Sequence, residues 1–418
     1  MKGPIQLLRS GKINGLVNLG PIHEWSEGPA YLVIDQVSFN GKKGAVLCYT
    51  NPPVHQVGNP ALDAFLEGLD KIFQEKEELR FLLLYGANDP VHAGGDLKES
   101  LEKLDKTLTM KKEKEKVGAP AKEIDQLYDW ADRRLEKGIG LHSRIRKLAQ
   151  HLRVVAVCGG GTRFGGSAEI PLMADYLVGD SRSGMCFSEV MIGLLPGWSG
   201  VARALVKAGL DNARVMALTG KEVKADTLKS IGIYNLVVDV PLGFPKMPKT
   251  GDPKADKAAY AEALEKHGEE TGRLLLPKGL ELATCPPREI PSAPQAAVLA
   301  KAADLSEEVE RRINPQTYAH LFGKPVKEVN EEVGRLGRPL APQSVEALSA
   351  LFSRYDASRF DEKAFVKEEA DADARLYRDP RFRAGLVATL EQKVADYREG
   401  SLYETVFSED EAHRQSAF

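Results

Sequence analysis

The sequence predicts an α/β fold, and two observations carry that prediction. Short, nearly continuous apolar runs recur along the first 240 residues, and segments with helical spacing lie between them. The runs are GAVLCYT (44–50), RFLLLYG (80–86), RVVAVCG (153–159) and DYLVGD (175–180), with YNLVVDV (234–240) as a fifth. Unbroken apolar stretches suit strands covered on both faces of a sheet. Between the first two runs, NPALDAFLEGLDKIFQ (59–74) sets Leu62, Phe65, Leu66, Leu69 and Phe73 at the spacing of one buried helical face.

From about Leu97 to Leu152 the chain is highly charged, with TMKKEKEKVGAPAKEIDQ in the middle and GLHSRIRKLAQHL at the end, as expected of a solvated helical face. A second polar segment, 243–272, is rich in Pro, Lys and Gly and reads as a loop leading into a helix. Beyond about Ser292 the pattern is helical throughout. The expected organisation is therefore a core over 1–240 with a charged helical insert at about 98–150, a polar insert over 241–290, and a helical region over 291–418.

Lys plus Arg number 57 against 60 Asp plus Glu, which leaves no basic field to hold nucleic acid or an anionic membrane. The four cysteines, Cys48, Cys158, Cys186 and Cys285, are scattered without a CxxC pair, against both a zinc site and a disulfide framework. The opening MKGPIQLLRSGKING lacks the apolar stretch of a signal peptide, and no apolar run reaches the length of a membrane span. These features predict a cytoplasmic protein with no metal.

The stretch VHAGGDLKES (91–100) breaks an apolar run with Gly94-Gly95-Asp96. Such a doublet serves either a tight turn or a close approach of main-chain N–H groups to a ligand. A second doublet, Gly165-Gly166, stands ahead of a helix-like segment. Two such donors can hold one carbonyl oxygen and stabilise the charge that gathers there as it becomes an enolate or tetrahedral adduct. Glu169 in GGSAEIPLMA and Glu189 in MCFSEVMIGLL are acids in otherwise apolar stretches, where burial is costly without a partner or a task.

Five collinear segments resemble the enoyl-CoA hydratase/isomerase, or crotonase, superfamily. They are NPPVHQVGNPALDAFLEGLDKI, VHAGGDLKE, FGGSAEIPLMADY, FSEVMIGLLPGWSGVAR and ALTGKEVKADTLKSIGIYNLVVD. The resemblance implies a crotonase-like spiral of ββα turns, here with an extended helical C-terminal region, acting on acyl-CoA thioesters. It implies assembly as a homotrimer or a dimer of trimers, and no cofactor beyond the CoA of the substrate. By position in the matching motifs, the oxyanion-hole donors are the N–H groups of Gly95 and Gly166, and the catalytic carboxylates are Glu169 and Glu189. Two carboxyls close together do not both ionise readily, so one is expected to act as acid and the other as base, in an order the sequence leaves open. Asp96 is expected to cap neighbouring backbone donors.

His55, His92 and Trp198-Ser199 depart from the common family pattern. His92 is a substrate contact or a histidine beside the core; Trp198 is a bulky wall or a ring that selects a flat acyl group. Lys98 resembles a lysine that approaches CoA phosphates, though a solvated lysine fits as well, and Arg203 fits a structural ion pair. The stretch from Phe365 to Arg398 is similar to the tail of the 3-hydroxyisobutyryl-CoA hydrolase branch, and long inserts occur in crotonases that open alicyclic rings. The leading expectation is an enoyl-CoA hydratase-type addition or elimination of water through a thioester enolate. The alternatives are an acyl-CoA hydrolase, cleaving a thioester or a ring, and a non-catalytic acyl-CoA-binding scaffold.

Overall fold

The computed structural model describes residues 3–293 and 295–398. The chain opens with α1 (Gly3–Arg9) and runs through β1 (Leu16–Glu27), β2 (Ala30–Phe39) and β3 (Lys42–Thr50) before α2 (Asn59–Gln74). Next come β4 (Phe81–Gly86), β5 (Val91–His92), α3 (Leu97–Lys116), α4 (Ala121–Asp125) and α5 (Asp129–Leu148). The following turns are β6 (Arg153–Cys158), β7 (Thr162–Phe164), α6 (Gly166–Leu172), β8 (Tyr176–Asp180), β9 (Gly184–Cys186) and α7 (Gly200–Thr219). After β10 (Val223–Lys224), α8 (Ala225–Ser230) and β11 (Leu236–Val238) the chain is helical: α9 (Pro253–Thr284), α10 (Ala302–Ile313), α11 (Pro315–Tyr318), α12 (Asn330–Leu336), α13 (Pro342–Ser353), α14 (Glu362–Tyr377) and α15 (Pro380–Leu390).

The described strands form a seven-stranded sheet, β1-β2-β3-β4-β6-β8-β11, and a four-stranded sheet, β10-β9-β7-β5. Three times the chain passes from the large sheet to the small one and then into a helix: β4, β5, α3; β6, β7, α6; β8, β9, α7. This repetition is the spiral of ββα turns. The strands β4, β6 and β8 are parallel neighbours, and so are β5, β7 and β9, so successive turns stack in register.

Period-two alternation explains why the strand sequences are apolar throughout. Leu47, Leu82, Leu84 and Ala156 face one core with α2, α5, α6 and α7, whereas Val46, Leu83, Tyr85 and Val157 face a second. Leu275, Leu276 and Leu280 of α9 close that second core. Gly272 and Gly279 let α9 lie close, because a Cβ on Gly272 would stand 2.6 Å from the Tyr85 hydroxyl and one on Gly279 would collide with Val157. The 241–290 segment thus supplies part of the core, and its long irregular stretch is confined to 241–252. Its Pro/Lys-rich opening hid the leucines that follow.

The charged insert also divides. Helix α3 buries little, but α5 turns Ala131, Leu135, Leu141 and Ile145 into the main core against α2. The hairpin β1–β2 adds two strands to those expected: β1 mixes polar and apolar residues, and β2 carries the apolar run AYLVI (30–34) ahead of Asp35 and Gln36. From the C-terminal side, α14 packs on α5 and α7, α13 on α7, and α15 on α3. The expected helical region continues to 418, and its residues 399–418 lie outside the described ones. Among the described residues no helix is long and apolar enough to cross a membrane.

Helix α15 seats through Gly385, where a Cβ would collide with the Ile192 carbonyl, three residues beyond Glu189. Gly385→Val is expected to unseat α15 and destabilise the protein by about 1–3 kcal/mol, read as a lower midpoint in urea unfolding.

Candidate active site

The parallel pairing of β5 with β7 brings together the two loops that follow them. Both loops turn on glycine. A Cβ on Gly94 would lie 2.8 Å from the Phe164 carbonyl and 3.0 Å from the Gly166 nitrogen, and Gly165 has φ +50. The Ser167 hydroxyl donates to the Ala93 carbonyl and ties one loop to the other. On the opposite side, Val57 N–H donates to the Gly94 carbonyl at 2.9 Å. Among the described residues, neither the Gly95 nor the Gly166 N–H donates to a protein acceptor. Asp96 caps α3 by accepting from Glu99 N–H at 3.0 Å and takes a second bond from Gln56 at 2.7 Å.

The two glutamates stand beside this junction. Glu169, on the first turn of α6, is 2 % exposed. Its Oε2 accepts from the N–H groups of Trp198 and Gly200, both at 2.8 Å, at the start of α7. Burial raises its pKa to about 7, against the pull of those two donors. Glu189 lies in a 3-10 turn after β9, with Oε1 2.7 Å from where a Cβ on Gly165 would stand. Its Oε2 has no hydrogen-bond partner among the described residues. Burial, then the charge of Glu169, then that of Asp373 push Glu189 well above the carboxylate range. The first proton therefore leaves Glu169, and Glu189 keeps its own.

Three further side chains converge here that the motifs did not single out. Arg134 of α5 is buried, and its Nη2 occupies the space a side chain on Gly95 would need. Glu369 and Asp373 of α14 are buried and accept from Ala202 N–H and Leu195 N–H, each at 2.9 Å. Burial and the charge of Glu169 raise both well above the carboxylate range; for Asp373 the Leu195 donor opposes this. A signal for all three exists in the sequence. Arg134 interrupts the α5 stripe Ala131, Leu135, Gly138, Leu141, while Glu369 and Asp373 sit on the α14 stripe with Phe365, Val366 and Leu376. A charge on an apolar stripe is the anomaly that could have found them.

The remaining candidates separate. Trp198 covers the junction, since a Cβ on Gly166 or on Gly138 would collide with its indole. His92 lines an interior cavity with His55, Tyr49, Phe65, Arg163 and Ser167, and neither glutamate lines it. Burial and the neighbouring Arg163 hold His92 neutral, and its ring lies 5.2 Å from that of His55, which pairs with Asp89 at 2.6 Å. Lys98 is exposed on the first turn of α3. Arg203 bonds Glu362 of α14 at 3.0 Å and the Leu172 carbonyl at 2.8 Å, a structural tie between α7 and α14. Among the described residues no group of three or more His, Cys, Asp or Glu is arranged to hold a metal ion.

The profile of the enoyl-CoA hydratase/isomerase family matches residues 134–241, which contain Gly166 and both glutamates. That match covers about a quarter of the chain. A crystal structure of an enoyl-CoA hydratase from Rhodobacter sphaeroides 2.4.1 superposes with a TM-score of 0.51 at 15% identity, over 91% of this chain and 98% of that one, a likeness of fold. A probable mitochondrial enoyl-CoA hydratase of Dictyostelium discoideum is 26% identical over 171 residues, 41% of this chain. The fatty acid oxidation complex subunit alpha of Idiomarina loihiensis is 28% identical over 190 residues, 44% of this chain. The matches span 51% and 22% of the lengths of those two relatives. The family match is confined to 134–241, and the buried acids of α14 lie outside it.

A folded-state pKa of about 7 against an ordinary 4.5 has a consequence for stability. Below pH 4.5 Glu169 is protonated in both folded and unfolded chains, and as pH rises towards 7 only the unfolded chain gains by ionising, so stability falls. Glu169→Gln removes this slope. Its unfolding free energy is expected to decline less than that of the parent between pH 4.5 and 7, by on the order of 1–3 kcal/mol in urea titrations.

Proposed function

We propose that the chain is an acyl-CoA enzyme that adds water to, or eliminates it from, an α,β-unsaturated thioester through an enolate. The observation that carries this reading is the pair of unengaged glycine amides beside two buried glutamates of unequal acidity. In this reading the thioester oxygen accepts from the Gly95 and Gly166 N–H groups. Carboxylate Glu169 takes a proton from water as the water oxygen bonds to the β-carbon, and the double-bond electrons move onto the thioester oxygen. The enolate then collapses, and its α-carbon takes the proton of Glu189. Transfer of the proton from Glu169 to Glu189 restores the starting state, so water is consumed and nothing else changes.

The unequal pKa values support this division of roles. Two backbone donors favour the anion at Glu169, whereas Glu189 Oε2 has none, so base and acid are set before substrate arrives. Trp198 walls the acyl side beside Gly166, which suits a flat enoyl group. Thioester hydrolysis would use the same amides and would release CoA thiol. Simple acyl-CoA binding would consume nothing.

A panel of linear and cyclic enoyl-CoA thioesters distinguishes these outcomes. Loss of the enoyl absorbance without thiol release is expected, and thiol release equal to substrate loss would overturn the hydratase reading. Glu169→Gln and Glu189→Gln are each expected to lower kcat by about 10²–10⁴-fold while acyl-CoA still binds, measured by steady-state rates and calorimetry. The rate should climb as pH rises through about 7, where Glu169 ionises, and fall at a higher pH where Glu189 loses its proton.

A further inference from the structure

The guanidinium of Arg134 lies beside the Gly95 half of the proposed oxyanion site. Its Nη2 stands against Gly95 and donates to the Val57 carbonyl at 3.1 Å, and its carbon lies 5.2 Å from the centroid of the Trp198 ring. That ring in turn covers Gly166. Arg134 is 3 % exposed, and its Nη1 has no hydrogen-bond partner among the described residues. The nearest carboxylate oxygen, Oε2 of Glu99, forms an ion pair with Nη1 at 3.8 Å, beyond hydrogen-bond distance, while Oε1 of Glu99 takes Asn59 and Lys103 at 2.6 Å. Asp373, which faces Arg134 from α14, is held towards its neutral form by burial. A buried cation with an unused donor is retained against a large desolvation cost, so a charge that appears only during the reaction is a natural partner for it.

We propose that Arg134 is a catalytic residue, a third and positively charged donor to the thioester oxygen as that oxygen becomes an enolate. The proposal rests on the oxyanion reading of Gly95 and Gly166. It also accounts for the glycine at position 95, since any side chain there would displace the guanidinium. Two neutral amides already favour an enolate over a carbonyl dipole, and a fixed cation widens that preference. Arg134 should thus act on kcat more than on ground-state binding.

The test uses acetoacetyl-CoA, a thioester that ionises without turnover to an enolate absorbing in the near ultraviolet, titrated by absorbance on the full-length protein. The parent protein is expected to lower the pKa of the bound ligand below that of the free one. In Arg134→Met the bound pKa should return at least one unit towards the free value, with Arg134→Lys between the two. On a turned-over enoyl-CoA, Arg134→Met should lose about 10²–10³-fold in kcat with KM changed less than about threefold. If the parent leaves the ligand pKa at its free value, the oxyanion reading fails with the proposal. If the parent lowers it and both variants lower it equally, the oxyanion reading stands and Arg134 is overturned. Should Arg134→Met fail to fold, Arg134→Lys decides alone: an unchanged ligand pKa overturns the proposal, and a raised one supports it.

Discussion

The carboxylate of Glu169, buried and held by two backbone amides at the start of α7, is the constraint on which the rest of the site depends. An acid in this apolar setting costs several kcal/mol to ionise unless donors compensate it. Hydrogen bonds to a charged group return about 1.5–3 kcal/mol each, so two of them offset much of the burial and leave the pKa near neutrality rather than far above it. The same bonds fix the loop that carries Trp198. Gly200 permits the approach, because a Cβ there would stand 2.7 Å from Oε2. One pair of contacts therefore sets the acidity of Glu169, the position of the indole and the entry of the chain into α7.

The region beyond the spiral takes part in this arrangement. Helix α14 presents Glu369 and Asp373 one turn apart, and each caps a backbone amide of the segment around Trp198. A clip of His142, Glu362 and Arg203 anchors the start of that helix, with His142 to Glu362 at 2.7 Å and Arg203 to Glu362 at 3.0 Å. The hydrogen bond from His142 and the charge of Arg203 outweigh burial and hold the Glu362 carboxyl down at about 2, so Glu362 remains a carboxylate over the physiological range. Four buried carboxyl groups thereby share one small region, where burial first, and the charge of Glu169 in addition, keeps Glu189, Glu369 and Asp373 protonated.

Much of the fold was legible because its signals are local. Strands covered on both faces read as unbroken apolar runs, and β3, β4, β6, β8 and β11 fall where those runs are. Strand β1 was not legible, since its mixed residues match neither a buried run nor a helix, whereas the AYLVI run of β2 carries the same local signal as the other strands. The leucines of α9 follow a Pro/Lys-rich lead that looked like a boundary. In the site, the glycine doublets and the two glutamates stand at motif spacing, so the sequence alone named them. Arg134, Glu369 and Asp373 do not, because they come from α5 and α14, 39, 200 and 184 positions away from Gly95, Glu169 and Glu189 respectively.

By itself, then, the chain specified its alternating elements, its glycine turns and the two acids set into apolar helices and turns, each a property of residues near one another. The tertiary structure alone decided which acid loses its proton first, because that depends on amides delivered by α7 to one glutamate and withheld from the other. It also decided that a guanidinium from a charged helix would meet the Gly95 turn. Electrostatic environment is a sum over groups distant in the chain, and only packing brings those groups within range of each other.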